Sequence, residues 1–208
     1  MASAHLSPTP ASGTPKPGLR ERKKLQTRQA IRRAAHRLFA ERGYDATPVD
    51  RIAEAADVSP STVFRYFPTK EDIVLADGRH AVREAGLRAR PADEPVVESM
   101  RQITVEALRR LTAQERGELV QRVRLIREVP AVRGRAAEHT ARDAAGLTAV
   151  LAERSGRPDG DPELRVIAAA LLAALQEAML TWVENGPEAD PEALVHRAMD
   201  VLARGLTP

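Results

Sequence analysis

The chain of 208 residues contains no cysteine. That excludes disulfide bridges, thiolate-held zinc and thiol-based redox sensing, and it fits a reducing cytoplasm as the working compartment. Aromatic residues make up only 3%. Packing must therefore rest on Leu, Val, Ile and Ala, which favours helix against helix over a sandwich or barrel. No apolar run approaches the roughly 20 residues that a membrane span needs, so no membrane partner is expected. The N-terminal stretch MASAHLSPTPASGTPKPG lacks the apolar core of a secretory signal. The five histidines are scattered without metal-ligand spacing. There is no glycine-rich phosphate loop, nucleophile elbow or paired-carboxylate motif. Neither a metal, nor a cofactor, nor a catalytic residue is expected.

What remains is an ordinary globular composition, 43% hydrophobic and 29% charged, long enough for one or two small domains. The net charge of +3 hides a split. From Lys16 to Lys70 there are 13 Lys or Arg against 6 Asp or Glu, a net +7. The rest carries 19 against 23, a net −4. One module is built to meet a polyanion, and the other does something else.

Residues 1–19 are rich in Pro, Ser, Thr and Ala and read as a disordered tail. A first helix follows from about Arg20 to Arg42. Leu25, Ile31, Ala35, Leu38 and Phe39 form its apolar stripe, opposite Arg22, Lys24, Arg28, Arg32 and Arg33. Gly43 ends it. Thr47-Pro48, with Asp50 behind, reads as the capped start of a second helix. Ser59-Pro60 starts a third in the same way, and Thr69 with Asp72 a fourth, running from about Lys70 to Arg88. Two prolines and two acids in Ala89 to Pro95 look like a hinge or domain boundary. Five more helices are expected, near Val96 to Leu111, Gln114 to Arg127, Ala131 to Arg154, Pro162 to Glu184 and Pro191 to Leu206. No strand alternation and no internal repeat is visible. The fold class is all-α.

Two short helices joined by a tight turn, behind a basic amphipathic helix, are how a helix-turn-helix places one helix in the major groove. Pro60 to Phe67 is the presumed recognition helix. Val63 and Phe67 should face inward. Ser61, Thr62, Arg65 and Tyr66 should face out, with Phe64 at the border. Arg65 can donate two parallel hydrogen bonds to guanine O6 and N7. Ser61 and Thr62 suit base edges or phosphate, and Tyr66 can reach a phosphate oxygen. Thr47, Ser59 and Lys70 lie at helix N-termini, where free N–H groups favour phosphate, and Arg28 adds a cation. A basic amphipathic helix alone is usually a solvated face, so the weight falls on the linked set.

That set resembles the N-terminal domain of TetR-family transcriptional repressors. The matching residues are Phe39, Gly43 and Tyr44, then Thr47, Ile52, Ala53, Val58 and Ser59, then the run from Thr62 to Glu71. The sequence departs from the family's commonest pattern at Phe64, where a tyrosine often touches phosphate. The resemblance implies a DNA-binding domain over 20–69 and a helical effector-binding and dimerisation domain over 70–208. It also implies a homodimer on a palindromic operator in double-stranded DNA, released by a small molecule.

The C-terminal part also resembles a branch of the family with an acyl-CoA-like effector. Met100, Ile103, Leu108, Leu147, Leu151, Leu171 and Leu175 could line an apolar tunnel. Arg122, Arg124, Arg127, Arg133 and Arg135 could meet phosphates. Such leucines are more often core, and such arginines more often a solvated face. His139, Gln176 and Met179 join Met100, Ile103, Arg127 and Leu147 as ligand-binding candidates. The helix from Val166 to Val183 is apolar nearly all round, so it must be buried on more than one side. Leu171, Leu175 and Trp182 on it, with Leu194, Val201 and Leu202 on the last helix, are the dimerisation candidates. An all-α carrier or enzyme with a vestigial DNA module remains the alternative.

Overall fold

A computed structural model describes residues 18–186 and 188–206. The proposed N-terminal tail lies, up to residue 17, outside the described residues. Among the described residues there are ten helices and no strand. They are α1 (Leu19–Arg42), α2 (Val49–Ala55), α3 (Pro60–Tyr66), α4 (Lys70–Leu75), α5 (Arg79–Ala89), α6 (Val96–Arg109), α7 (Ala113–Glu128), α8 (Pro130–Ser155), α9 (Pro162–Asn185) and α10 (Pro191–Ala203).

The breaks follow local chemistry. Ser59 caps α3 by accepting from the Thr62 N–H, with Pro60 at the first helical position. Thr69 and Asp72 exchange bonds in a full capping box at α4, and Thr112 and Glu115 do the same at α7. Asp161 and Asp190 cap α9 and α10 ahead of proline.

Thr47 behaves differently from its expected capping role. Pro48 is the N-cap of α2, and no side chain caps that helix. The Thr47 hydroxyl turns back and donates to the Gly43 carbonyl at 2.7 Å. Its side chain is buried.

The expected long helix from Lys70 to Arg88 is two helices. Ala76 to Gly78 separates α4 from α5, with Gly78 in the left-handed region at φ 69°. Asp77 Oδ1 accepts the Arg79 N–H, and the Ala76 carbonyl accepts Arg32. Both contacts hold the backbone out of helix. The expected hinge at Ala89 to Pro95 is a pinned turn. The Arg154 guanidinium donates to the carbonyls of Leu87, Arg90 and Pro91.

Two apolar clusters form the core. The first joins Ile31, Ala35, Leu38 and Phe39 of α1 to Ile52, Val63, Phe67 and Ile73 to Leu75. Leu125 of α7 and Val132 of α8 complete it, so the N-terminal helices share a core with the later ones. Leu25, expected on this face, is exposed one turn beyond it. The second cluster joins α5 to α10 around Leu87, Met100, Leu147, Val150, Leu171, Trp182, Val195 and Met199.

The stretch Pro162–Asn185 is, against expectation, long and apolar enough by length and composition to cross a membrane. Here it packs between α8 and α10, with Leu164, Ala168, Leu171, Leu172, Leu175, Ala178 and Trp182 buried.

Phe67 is 1% exposed and Phe64, three residues before it, is 50% exposed. Phe67→Ala should therefore lower stability by about 3–5 kcal/mol. Phe64→Ala should stay within about 0.5 kcal/mol. Urea denaturation of the two variants beside the parent checks the contrast.

Candidate functional site

Helix α3 is fastened by Val63 and Phe67, both fully buried, four residues apart. The same spacing turns Ser61, Phe64 and Arg65 to solvent, with Thr62 and Tyr66 half-buried beside them. At the helix start, Ser59 Oγ lies 2.9 Å from both Ser61 Oγ and Thr62 Oγ1. Arg65 lies 5.7 Å above the Tyr66 ring. Its guanidinium is exposed and makes a 3.4 Å contact to Thr62 Oγ1 through one nitrogen. The result is a compact face of hydroxyls and one guanidinium, the composition that reads base edges in a major groove.

Flanking cations divide into two kinds. Arg20, Lys23, Lys24 and Arg28 line the exposed N-terminal half of α1. The Arg28 guanidinium rests 4.7 Å above Phe67, beside the end of α3. Lys70 is folded inward instead. Its ammonium donates to the Tyr44 carbonyl at 2.5 Å and sits 3.9 Å over the Tyr44 ring. Burial lowers its pKa. Lys70 therefore braces the α1–α2 turn. Thr47 is likewise internal, so neither presents the free anion-binding group expected of it.

Arg32 is the residue that the charge pattern misplaces. It leaves the exposed basic face and bridges to the Ala76 carbonyl at 3.1 Å and to Glu118 at 2.7 Å. Its signal was present: Arg32, Ala35, His36 and Phe39 share one face at helical spacing. His36 adds a second bridge. Its Nδ1 lies 2.6 Å from Gln121 Oε1, while Gln121 Nε2 donates to the His36 carbonyl. A third bridge ties α4 to α8. Arg135 grips Asp72 with both prongs, at 2.8 and 3.0 Å, and His139 Nε2 lies 2.9 Å from the same carboxylate. Burial raises the Asp72 pKa, but the bonds from Arg135, His139 and Thr69 outweigh it and hold the carboxyl well below its usual range.

Behind these bridges lies a cavity of about 690 Å³ between α1, the α4–α5 junction, α5, α6, α7 and α9. Its size falls in the range of small-molecule sites, roughly 300–1,000 Å³. Ile103, Ala107, Leu108, Leu119, Leu175 and Met179 give it an apolar wall. Gly86 lets α5 approach α6, since a Cβ there would stand 3.0 Å from the Ile103 side chain. Arg32, Asp77, Arg79, Arg83 and Arg122 stand on its charged side, with Glu106, Arg110, Glu115 and Glu118; of these only Arg122 is a phosphate candidate by sequence.

Of the expected ligand residues, Ile103 and Met179 line this cavity. Met100 and Leu147 are buried in the core beside it, away from its wall. His139 is committed to Asp72. Arg127 pairs at 3.0 Å with Glu184 on the surface, and Gln176 is exposed. The expected dimerisation residues also divide. Leu171 is buried, Leu175 faces the cavity, and Trp182 is buried with its indole N–H on the Ala189 carbonyl. All three pack inside their own subunit. Val201 is exposed, and Leu194 and Leu202 are half-buried. On α9 the outward stripe is instead Val166, Ala169, Ala173 and Glu177. Leu164, Leu171, Leu172, Leu175 and Trp182 pack inward, and two alanines lie on the outward stripe.

Comparison with known proteins covers both halves. Residues 31–76 match the family described as bacterial regulatory proteins, tetR family, and residues 94–207 match the MftR C-terminal domain. The HTH-type transcriptional regulator TcmR of Streptomyces glaucescens is 42% identical over 104 residues, covering 48% of this chain and 46% of that protein. The HTH-type transcriptional repressor AcnR of Corynebacterium diphtheriae is 34% identical over 113 residues, covering 54% and 56%. Each alignment thus spans about half of the relative. Among solved structures, Thermus thermophilus FadR, a TetR-family repressor in complex with lauroyl-CoA, is similar at 27% identity and TM-score 0.57. The similarity covers 87% of this chain and 95% of that one.

Burial lowers the His36 pKa below the ordinary 6.5, ahead of the opposing effects of the Gln121 bond and Glu118; Arg32 and Arg122 lower it further. As pH falls through about 6.5, the unfolded chain takes up a proton that the folded chain resists. Stability is therefore full above that pH and declines below it. His36→Gln should flatten this part of the profile, as read by denaturation midpoints between pH 7.5 and 5.5.

Proposed function

Because the chain belongs to the tetR family of bacterial regulatory proteins, we propose that it is a homodimeric transcriptional repressor that leaves a palindromic operator when a small molecule binds. The observation that carries this is the pairing of two sites: an outward polar face on α3 and a cavity whose wall includes the α4–α5 junction. Arg65 reads a guanine, while Ser61, Thr62 and Tyr66 contact bases or phosphates around it. Arg28, with Arg20, Lys23 and Lys24, neutralises phosphates along α1. Lys70 and Thr47 act indirectly, by holding the turn that carries α2. The place of action is the cytoplasm, where the DNA is.

Two subunits pair through the outward stripe of α9 and the exposed edge of α10, around Val166, Ala169, Ala173 and Val201. Small side chains allow close helix approach there. Such a dimer sets its two α3 helices roughly 34–36 Å apart, or a multiple of that, to reach successive major grooves. The effector is an acyl compound of the acyl-CoA type. The apolar wall of the cavity supports this, as does the likeness to a repressor solved with lauroyl-CoA. It binds the conformation with the wrong spacing better than the one that fits the operator, and so shifts the population off DNA.

A mobility-shift assay on DNA upstream of the chain's own gene, with and without dodecanoyl-CoA, tests the reading. Binding should be lost with the acyl compound and should weaken steeply with added salt. Arg65→Ala should cost about 1–3 kcal/mol on operator and far less on random DNA. Equal losses on both DNAs would remove Arg65 as the base reader. A chain that retards no DNA at all would overturn the regulator reading.

A further inference from the structure

Four guanidinium groups meet on one wall of the cavity, from Arg32 of α1, Arg79 and Arg83 of α5, and Arg122 of α7. Three carboxylates answer them. Glu118 takes Arg32 at 2.7 Å, and Asp143 takes Arg83 at 2.8 Å. Asp77 alone serves both Arg79, at 2.9 Å, and Arg122. Glu106, Arg110 and Glu115 line the same cavity, so with Asp143 five carboxylates meet five guanidinium groups. Individual polar atoms are still left without a hydrogen bond, Asp77 Oδ2 among them. The Nε of Arg122 is shielded from solvent and has no hydrogen-bond partner. So is the hydroxyl oxygen of Thr104, which lies on the same cavity wall from α6. Burial pushes both Arg79 and Arg122 down to about 10, helped by Arg83 and Arg32 at Arg79 and opposed by Asp143 at Arg122, so both remain charged at neutral pH. Buried polar groups are normally satisfied, and buried cations normally paired. A protein that needed only a rigid core would have filled this wall with leucine.

We propose that this wall is an anion subsite, which takes one carboxylate or phosphate of the effector. Arg122 Nε and the Thr104 hydroxyl donate to it, and Arg79 supplies the second cation. The apolar remainder lies against Ile103, Leu108, Leu119, Leu175 and Met179. The proposal rests on the reading of this cavity as the effector site, and it names the ligand class: a carboxylate or phosphate on an apolar body. It also names the contact that the ligand breaks. Asp77 belongs to the three residues between α4 and α5, and the arriving anion competes with it for Arg79 and Arg122. Arg32 holds the neighbouring Ala76 carbonyl. The anion therefore acts on the junction directly, at the point where α4 hands over to α5.

Isothermal titration calorimetry on the full chain tests this with three probes: dodecanoate, the uncharged dodecanamide and dodecanoyl-CoA. Dodecanoate should bind about tenfold or more tightly than the amide. Arg122→Gln and Thr104→Val should each cut that preference several-fold while leaving amide binding nearly unchanged. Arg124→Gln, an exposed arginine on the same helix, should leave the preference intact. Dodecanoyl-CoA binding that falls on Arg122→Gln, with dodecanoate binding weakly, supports the subsite with phosphate as the source of the charge. Dodecanoate binding no more tightly than dodecanamide, with dodecanoyl-CoA binding either absent or unchanged by Arg122→Gln, overturns the proposal. Calorimetry reads the subsite without DNA, so failure of operator binding and failure of the anion preference are separate results.

Discussion

The two-pronged grip of Arg135 on Asp72 is the strongest of three polar bridges through which the N-terminal helices meet the later ones. Asp72 closes the capping box that starts α4, so the same carboxylate fixes a helix end and a helix–helix junction. A charged group this well satisfied is costly to disturb, since breaking the pair leaves a guanidinium and a carboxylate without partners in a partly buried site. His139 adds a third donor-capable group to it. The first apolar cluster continues underneath, where Val132 of α8 lies against the N-terminal helices. The orientation of α2 and α3 thus follows from α8 as much as from α1.

Around that junction the chain uses polar side chains where a small core runs out of apolar surface. Five of the six aromatic residues fall between Phe39 and Phe67, in the segment from the end of α1 to the end of α3. Phe39 and Tyr44 pack at 5.2 Å, and Tyr44 then donates to Glu71 at 2.6 Å. Burial and that bond raise the Tyr44 hydroxyl pKa well above its usual value. Burial opposes the downward shift of the Glu71 carboxyl, and the Tyr44 and Thr69 bonds prevail. The Tyr44–Glu71 bond spans 27 residues and ties the α1–α2 turn to the start of α4.

Helix starts were legible wherever a side chain could reach its own backbone. Ser59-Pro60 and Thr69 with Asp72 spell out caps that need no distant partner. Thr47-Pro48 spells the same pattern, yet its hydroxyl found the carbonyls at the end of α1, a choice made by tertiary packing. The break after Leu75 was written as Asp77-Gly78, a turn dipeptide. It was overridden in the reading by the helical spacing on either side. The all-round apolar character of α9 was visible, but not which side faces out, because that depends on side-chain size against particular neighbours. The arginines of the cavity wall were the least legible. Arg79 and Arg83 look like any solvated helical face until α7 and α8 bring Arg122 and Asp143 beside them. Arg32 and His36 belong to the same case: their partners Glu118 and Gln121 lie more than eighty residues away.

The three-residue gap between α4 and α5 changes the kind of message that can pass along the chain. A continuous helix is a rod, and a displacement at one end arrives at the other scaled by its length. A joint with Gly78 in the left-handed region, held by the Asp77 and Arg32 contacts, passes on a push only where those contacts change. What it can carry is a choice among a few discrete backbone states, each with its own entropy. The output of such a device is a frequency, the fraction of time that α2 and α3 spend at one angle, rather than a distance moved. In the proposed repressor, graded signals at the cavity become graded occupancies on DNA, with a sharpness set by how few states the joint allows.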